Sequence, residues 1–439
     1  MFKSPSTANG ASDIDRELVG HVDIYRDRRK APLWEELMMW LMFFTTYAPF
    51  PGVTPILYLL VLGYMVILFF DYKTIVPVIL SSWPVFLLPI YGLASFAWSP
   101  FPAEAFRTGT LLLLTPLIIV IAASRLSMRQ VIRALMFAGI CTAILSAPHI
   151  GSFAQGGLYP QKNYFAIQML FLILTAMATC LNPDESIWVR LIAVIFVPVG
   201  FVFQLLAESA TSLVFAVLGI FGMLTLRFFW VGLGRIRHLR TMIFLSAMLV
   251  ALSIVLVILS MPQNEFVSGF LELVGKDSSF SGRTAIWEAG RLVSAEHPIF
   301  GVGLEGFWYY DNGMAQTLNE NDHKAAGTKL SFHSTYWETR VHLGMIGWGM
   351  FVLIVIWCLY RTIKQWFQTP SMDTSALLVT ALIIVTSTFT ESYLWGTFNT
   401  LVYLYYFGAI SGLGAEKRVK VGQAPLYRHA EPIQAAAQN

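Results

Sequence analysis

The chain reads Met261-Pro262-Gln263-Asn264-Glu265 on leaving one apolar run and Leu330-Ser331-Phe332-His333 on entering the next; the stretch between, residues 261–332, decides how it is organised. Before it lies Ile254-Val255-Leu256-Val257-Ile258-Leu259, and after it Phe351-Val352-Leu353-Ile354-Val355-Ile356-Trp357. Such runs suit lipid. The interval is polar, amphipathic and aromatic. A chain that only packs helices in a bilayer does not need such an insert. Chemistry at a membrane surface does, because polar groups must stand where water and an amphipathic substrate meet.

Composition agrees. Of 439 residues, 56% are hydrophobic and 13% charged, and the mean hydropathy is +0.63. A soluble domain carries about 25% charged residues. The class is an all-α polytopic membrane protein, for which length does not count domains. A net charge of +3 gives no nucleic-acid surface. Cys141, Cys180 and Cys358 fall in apolar segments and read as small core residues, with no disulfide implied. The first apolar run starts late, near Leu33, and no cleavable signal peptide is visible.

A spanning helix needs about 20 mostly apolar residues. On that basis the sequence predicts about twelve spans: 34–50, 53–71, 75–97, 108–123, 132–149, 164–181, 188–206, 212–231, 241–260, 335–358, 375–393 and 398–414. The first is short, holds Glu35 and Glu36, and ends in the turn signal Ala48-Pro49-Phe50-Pro51-Gly52. With the N-terminus inside, most of the 29 lysines and arginines fall on cytoplasmic loops, including the Arg26–Lys30 tail, Arg125, Arg129, Arg133 and Lys417 to Arg428. The expected layout is a cytoplasmic tail (1–32), helices one to nine (33–260), an outer-face catalytic loop (261–332), helices ten to twelve (333–414) and a second cytoplasmic tail (415–439). Both tails read as disordered.

The basic residues left outside run against that bias and so are candidates for an anionic ligand. Arg107, Lys162, Arg283 and Arg291 are among them. Lys276, Lys324 and Lys329 read more simply as solvated loop charges. Within the loop, Ser281-Gly282-Arg283-Thr284 precedes a helix with Ile286, Ala289, Gly290 and Val293 on one face, and Trp287, Arg291 and Ser294 on another. An arginine in a helix's first turn is unfavourable alone, but acts together with the helix N-terminus on a phosphate. His297-Pro298-Ile299-Phe300-Gly301-Val302-Gly303 then stops the helix. Phe307, Trp308, Tyr309 and Tyr310 suit a membrane interface or sugar faces. His333 stands at the mouth of the tenth span, with Tyr336 and Trp337 expected on its face.

Three runs then carry a resemblance: Ser281-Gly282-Arg283-Thr284-Ala285-Ile286-Trp287; His297 to Gly303 with Phe307; and His333-Ser334-Thr335-Tyr336-Trp337-Glu338 with Leu343-Gly344-Met345-Ile346-Gly347. Together they resemble the O-antigen ligase and Wzy-type polysaccharide polymerase family, in its exopolysaccharide polymerase-like form. Gly157-Leu158-Tyr159-Pro160-Gln161-Lys162-Asn163 is also similar to a family segment. The resemblance implies an inverting, metal-independent glycosyltransferase of the GT-C type with no cofactor. It implies an undecaprenyl-diphosphate-linked glycan as donor, and a growing polysaccharide or a lipid A-core as acceptor. The setting is the outer face of a bacterial inner membrane, among membrane lipids and alongside chain-length regulator and export proteins.

Arg283 matches the family's loop arginine and His333 its histidine. Many members carry Ser-Arg after the seventh span, where the arginine helps bind diphosphate; this chain has Glu208-Ser209-Ala210-Thr211-Ser212. Lys162 and Arg107 are the candidate substitutes.

The chemistry needs negative charge stabilised on a departing diphosphate, which suits Arg283, and a proton taken from an acceptor hydroxyl, which suits His333. Glu338 can orient His333, bind acceptor hydroxyls or serve as a structural carboxylate. Glu391, near the outer end of the eleventh span with Asn399 nearby, is either functional or a helix-packing group. Asn163 can bind a glycan or phosphate oxygen, or cap the sixth span. Trp287 fits packing better than sugar stacking. Metal signals fail: Asp13-Ile14-Asp15 lies in the tail, and Asn319-Glu320-Asn321-Asp322-His323 lacks the glycine turn and final glutamate of a calcium loop. Polymerase is preferred to ligase; a transporter of lipid-linked glycans would want internal symmetry, and none is evident.

Overall fold

The computed structural model describes residues 31–47, 52–159, 161–229, 242 and 283–412. The expected ninth span, the first part of the polar loop (261–282) and both tails lie outside the described residues.

Every regular element among the described residues is helical. In chain order they are α1 (Leu33–Tyr47), α2 (Val53–Phe70), α3 (Tyr72–Ser81), α4 (Pro84–Ala94), α5 (Pro102–Arg125), α6 (Met128–Ser146), α7 (Lys162–Cys180), α8 (Ile187–Leu206), α9 (Ala210–Leu224), α10 (Arg283–Glu296), α11 (Gly313–Asn321), α12 (Thr335–Gln368), α13 (Met372–Ser387) and α14 (Thr400–Ile410). Seven stretches are long and apolar enough to cross a membrane, at α2, α5, α6, α7, α8, α9 and α12. The α3–α4 pair makes an eighth if its 85° bend is counted as one broken span. The protein is a multi-pass membrane protein, and the described helices do not reach the expected twelve spans. α1, α13 and α14 are shorter than a full crossing.

Local sequence explains the ends. Ser127 and Gln130 form a capping box that starts α6, and Pro102 occupies the first turn of α5, where a missing N–H costs nothing. Burial sorts the helices by their surroundings. α14 is wholly buried, and its Tyr405 hydroxyl donates to the Val355 carbonyl at 2.6 Å. α2 and α8 turn large apolar side chains outward, including Leu59, Leu62, Ile195 and Val202. On a water-facing surface that would be an aggregation hazard; on a lipid-facing one it is the ordinary case.

At one end of the bundle the short first helix finds its reason. Glu35 takes a bidentate contact from Arg125, which also reaches Asp71 at 2.5 Å. Glu36 takes one from Arg133, whose other edge reaches Glu185 at 2.9 Å. These pairs replace the water the carboxylates give up on burial.

The opposite end carries a small lobe. Phe307, Trp308 and Phe332 form its core with Ile286, Ala289 and Val293 of α10. The expected interfacial aromatic cluster is therefore divided. Phe307 and Trp308 are buried, Tyr309 packs on Phe101, and only Tyr310 is broadly exposed. The lobe is fastened through a break in α12. Gly344 sits at φ +62°, and a Cβ there would lie 2.2 Å from the Ile299 carbonyl oxygen. The break frees backbone groups that the 298–303 segment takes up. Val302 and Gly303 donate to Val341 and His342 at 3.0 and 2.8 Å, and Met345 donates to Pro298 at 2.9 Å. The 24 residues beyond the break rise about 36 Å, enough to cross; the turns before it stand at the mouth.

Candidate active site

A cavity of about 310 Å³ opens between the lobe and the bundle. Its wall is assembled from α5 (Thr108), the start of α7 (Asn163, Tyr164), the lobe (Glu305, Trp308, Lys329), the mouth of α12 (His333, Glu338, His342) and the turn after α13 (Glu391 to Gly396).

Arg283 is the first described residue of α10 and is not itself on the cavity wall. Its Nη2 donates to Glu391 Oε1 at 2.7 Å, and both side chains keep about a fifth of their surface exposed. Glu391 lies past the end of α13 rather than inside a span; α13 stops at Ser387, and the backbone turns there. The other carboxylate oxygen, Oε2, is 3.7 Å from His333 Nδ1. Glu391 thus bridges the two residues that sequence reasoning singled out first. Burial would push its carboxyl up, but the His333 ring and the Arg283 guanidinium outweigh that and hold it below its ordinary value.

His333 is not helical. It sits at φ +48°, one residue before the Ser334 N-cap of α12. This conformation is unusual for a residue with a Cβ and persists only where surroundings enforce it. Tyr336 and Trp337 do not share its face. Tyr336 stacks on Phe389 at 4.8 Å, and Trp337 backs the glycine gap at Gly290.

Glu338 is buried. Its Oε1 accepts from the Phe332 N–H at 2.7 Å and from the Ser392 hydroxyl at 3.0 Å. Its Oε2 is 3.5 Å from His342 Nε2, and His342 Nδ1 is 3.1 Å from the Gly303 carbonyl oxygen. His342 also stacks on Trp395 with centroids 5.6 Å apart.

The remaining expected residues divide. Asn163 lines the cavity and accepts from Ser209 at 3.2 Å; Gln161, not Asn163, is the N-cap of α7. Lys162 is half-buried beside it at the same helix start, though not on the wall. Trp287 packs, its indole N–H donating to the Phe332 carbonyl at 2.8 Å. Arg291 points away, exposed and paired with Glu288 one turn back at 2.6 Å. Arg107 is exposed on α5 and does not reach the wall.

Sequence reasoning missed others. Lys329 is not a free loop charge: it donates to Glu305 at 2.8 Å and Glu104 at 2.9 Å. Glu305, at φ +62°, also accepts from Thr108 at 2.8 Å. Burial would raise the Glu305 carboxyl, but Lys329 and Thr108 bring it below its ordinary value. Nothing local in Gly303-Leu304-Glu305-Gly306 announced it. His342 did carry a signal, standing four residues after Glu338 on one helix face.

A lysine, two histidines and three carboxylates on the wall of a cavity at the mouth of a membrane helix, with Arg283 bound to one of the carboxylates, suit transfer chemistry on an amphipathic substrate. Comparison with known proteins adds to this. Residues 193–352 match the profile of the O-antigen ligase family. That match and the relatives below make the chain similar to the O-antigen ligase and Wzy-like family. The exopolysaccharide production protein ExoQ of Rhizobium meliloti (strain 1021) is 23% identical over 367 residues, covering 77% of this chain and 79% of that one. An uncharacterized protein of Haemophilus influenzae is 27% identical over 124 residues, 28% of this chain and 30% of its own. These similarities support a role in surface polysaccharide synthesis, as a polymerase or an O-antigen ligase.

Proposed function

We propose that the protein is a polymerase that joins polyprenyl-diphosphate-linked repeat units into an exopolysaccharide, and that the cavity at the mouth of α12 is where the units meet. The observation that carries this is the Arg283–Glu391–His333 chain, with His333 and Glu391 on that wall and Arg283 bound to Glu391. In this reading an acceptor hydroxyl oxygen attacks the anomeric carbon of the donor sugar, and the bond from that carbon to the diphosphate oxygen breaks. The hydroxyl proton passes to His333 Nε2. Glu391, facing Nδ1, steadies the imidazolium that results. Charge arriving on the diphosphate is met by the Arg283 guanidinium, so the step is metal-independent and inverts the anomeric centre.

Lys162 supplies the second cation in place of the arginine absent from Glu208-Ser209-Ala210. Ser209 binds Asn163, which brings that loop to the helix start where Lys162 stands. The orientation that fits puts the cavity on the outer face of the inner membrane and both termini in the cytoplasm. The polar loop then acts as the catalytic segment and residues 333–414 as the closing helices. Chain-length regulator and export proteins are the proposed partners in the same membrane.

Polymerase is preferred to ligase because the relative with long coverage is described as an exopolysaccharide production protein. The test is to incubate purified protein with lipid-linked repeat units, alone and with a lipid A-core acceptor, and to resolve the products by gel and mass spectrometry. A ladder from repeat units alone supports the polymerase. A product only with the second acceptor makes the protein a ligase. No covalent product from competent substrate would favour the transporter.

A further inference from the structure

The wall of the cavity contains a second histidine–carboxylate pair, Glu338 and His342, which the mechanism above does not use. Its contacts are specific. Phe332, whose N–H Glu338 accepts at 2.7 Å, immediately precedes His333. Ser392, whose hydroxyl Glu338 accepts at 3.0 Å, immediately follows Glu391. One buried oxygen therefore holds the chain on both sides of the His333–Glu391 pair. The other oxygen faces His342 Nε2 at 3.5 Å, and His342 is itself tied through Nδ1 to Gly303 and flattened against Trp395.

We propose that Glu338 is a positioning residue, which sets His333 against Glu391 by gripping the backbone before one and the hydroxyl after the other, with His342 holding Glu338 in place. The inference rests on the functional reading of His333. It accounts for a feature that reading leaves open, the left-handed backbone of His333 at φ +48°. A residue in that region needs its neighbours fixed, and Phe332 is fixed twice: its N–H goes to Glu338, and its carbonyl accepts from Trp287 at 2.8 Å. It also separates Glu338 from proton transfer to substrate, since both its oxygens already face protein groups and its side chain is 3% exposed.

The distinction is testable because a glutamine at 338 fills the same space. Its amide oxygen can accept from Phe332 and Ser392, and its N–H₂ can donate to His342 Nε2 when Nδ1–H donates to Gly303. Three variants, Glu338→Gln, Glu338→Ala and Ser392→Ala, are compared by kcat and acceptor KM on polyprenyl-diphosphate-linked repeat units. In parallel, the rate of diethyl pyrocarbonate labelling at His333 is read by peptide mass spectrometry. The expected result is that Glu338→Ala lowers kcat at least about tenfold, and Ser392→Ala about threefold, with KM little changed, as for lost buried hydrogen bonds. Glu338→Gln stays within about threefold of wild type. The His333 labelling rate changes in both alanine variants and not in the glutamine variant.

If Glu338→Gln falls as far as Glu338→Ala with both proteins folded, the carboxylate itself takes part and the positioning role is overturned. Unchanged turnover and labelling in both alanine variants also overturn it. Should Glu338→Ala fail to fold, Ser392→Ala and Glu338→Gln decide the matter. If His333→Ala keeps full turnover, the functional reading has failed, and the labelling rates still judge the positioning role by themselves.

Discussion

The two ends of this helical bundle hold the same kinds of charge and use them differently. At the Glu35–Glu36 end, Arg125 and Arg133 each give both guanidinium edges to carboxylates, and Glu185 joins them. At the cavity end, Arg283 engages Glu391 through one nitrogen among the described residues, and Glu391 reaches His333 across 3.7 Å. A network in which all three guanidinium nitrogens are engaged by carboxylates fixes helices. A network with a guanidinium partly engaged and a histidine just beyond hydrogen-bond reach has something to give to a substrate. The difference separates structural from chemical use of charge within one chain.

Substitutions should separate the two ends. The largest effect is expected at Arg283. Arg283→Ala should lower transfer from lipid-linked donor by about 10²- to 10³-fold, the scale for removing one fixed donor from developing negative charge. Its melting temperature should move little. At the other end, Arg133→Ala leaves Glu36 without its partner and Glu185 with only Arg129 at 4.0 Å, and should cost about 3 kcal/mol, seen as an earlier thermal transition. Turnover per folded molecule should hold. If Arg133→Ala removes activity from folded protein, the contrast between the ends is broken.

Gly344→Ala sharpens the comparison from the backbone side. A Cβ there meets Ile299 and Gly301 backbone, so the lobe must shift off α12. Turnover should fall about tenfold while the far-end pairs, and resistance to proteolysis of the helices, stay as they are.

The smallest effect is a dependence on acidity. The Glu391 carboxyl is held below its ordinary value, so the stability it contributes is fully present above its unfolded pKa of about 4.3. That contribution is lost as pH falls through the lower folded value. The stability difference between wild type and Glu391→Gln, measured by chemical denaturation, should be constant at neutral pH and shrink only below about pH 4. A difference that shrinks already near pH 6 would contradict the pairing.

Much of this was legible in the sequence because it rests on local pattern. The helices follow apolar runs of sufficient length, α10 buries the Ile286, Ala289 and Val293 stripe read from its spacing, and His333 stands at a mouth because an apolar run follows it. The partners of the buried carboxylates in α1 were legible too, though unread: Arg125 and Arg133 flank the start of α6, in reach of adjacent turns. What could not be read is what the fold brings together. Glu305 meets Thr108 and Lys329 from three separate segments, and Ser392 meets Glu338 across the turn after α13. No spacing encodes those meetings. The bend between α3 and α4 was hidden as well, since an apolar composition is the same for a straight span and a broken one.

The central claim is that the cavity at the mouth of α12 transfers glycan with His333 as the base. The direct measurement is release of polyprenyl diphosphate, in step with glycan transfer, by purified wild-type protein and His333→Ala in the same lipid. Wild type should release it stoichiometrically, and the variant should lose about 10²-fold or more with its melting temperature unchanged. Equal release by both proteins would contradict that claim.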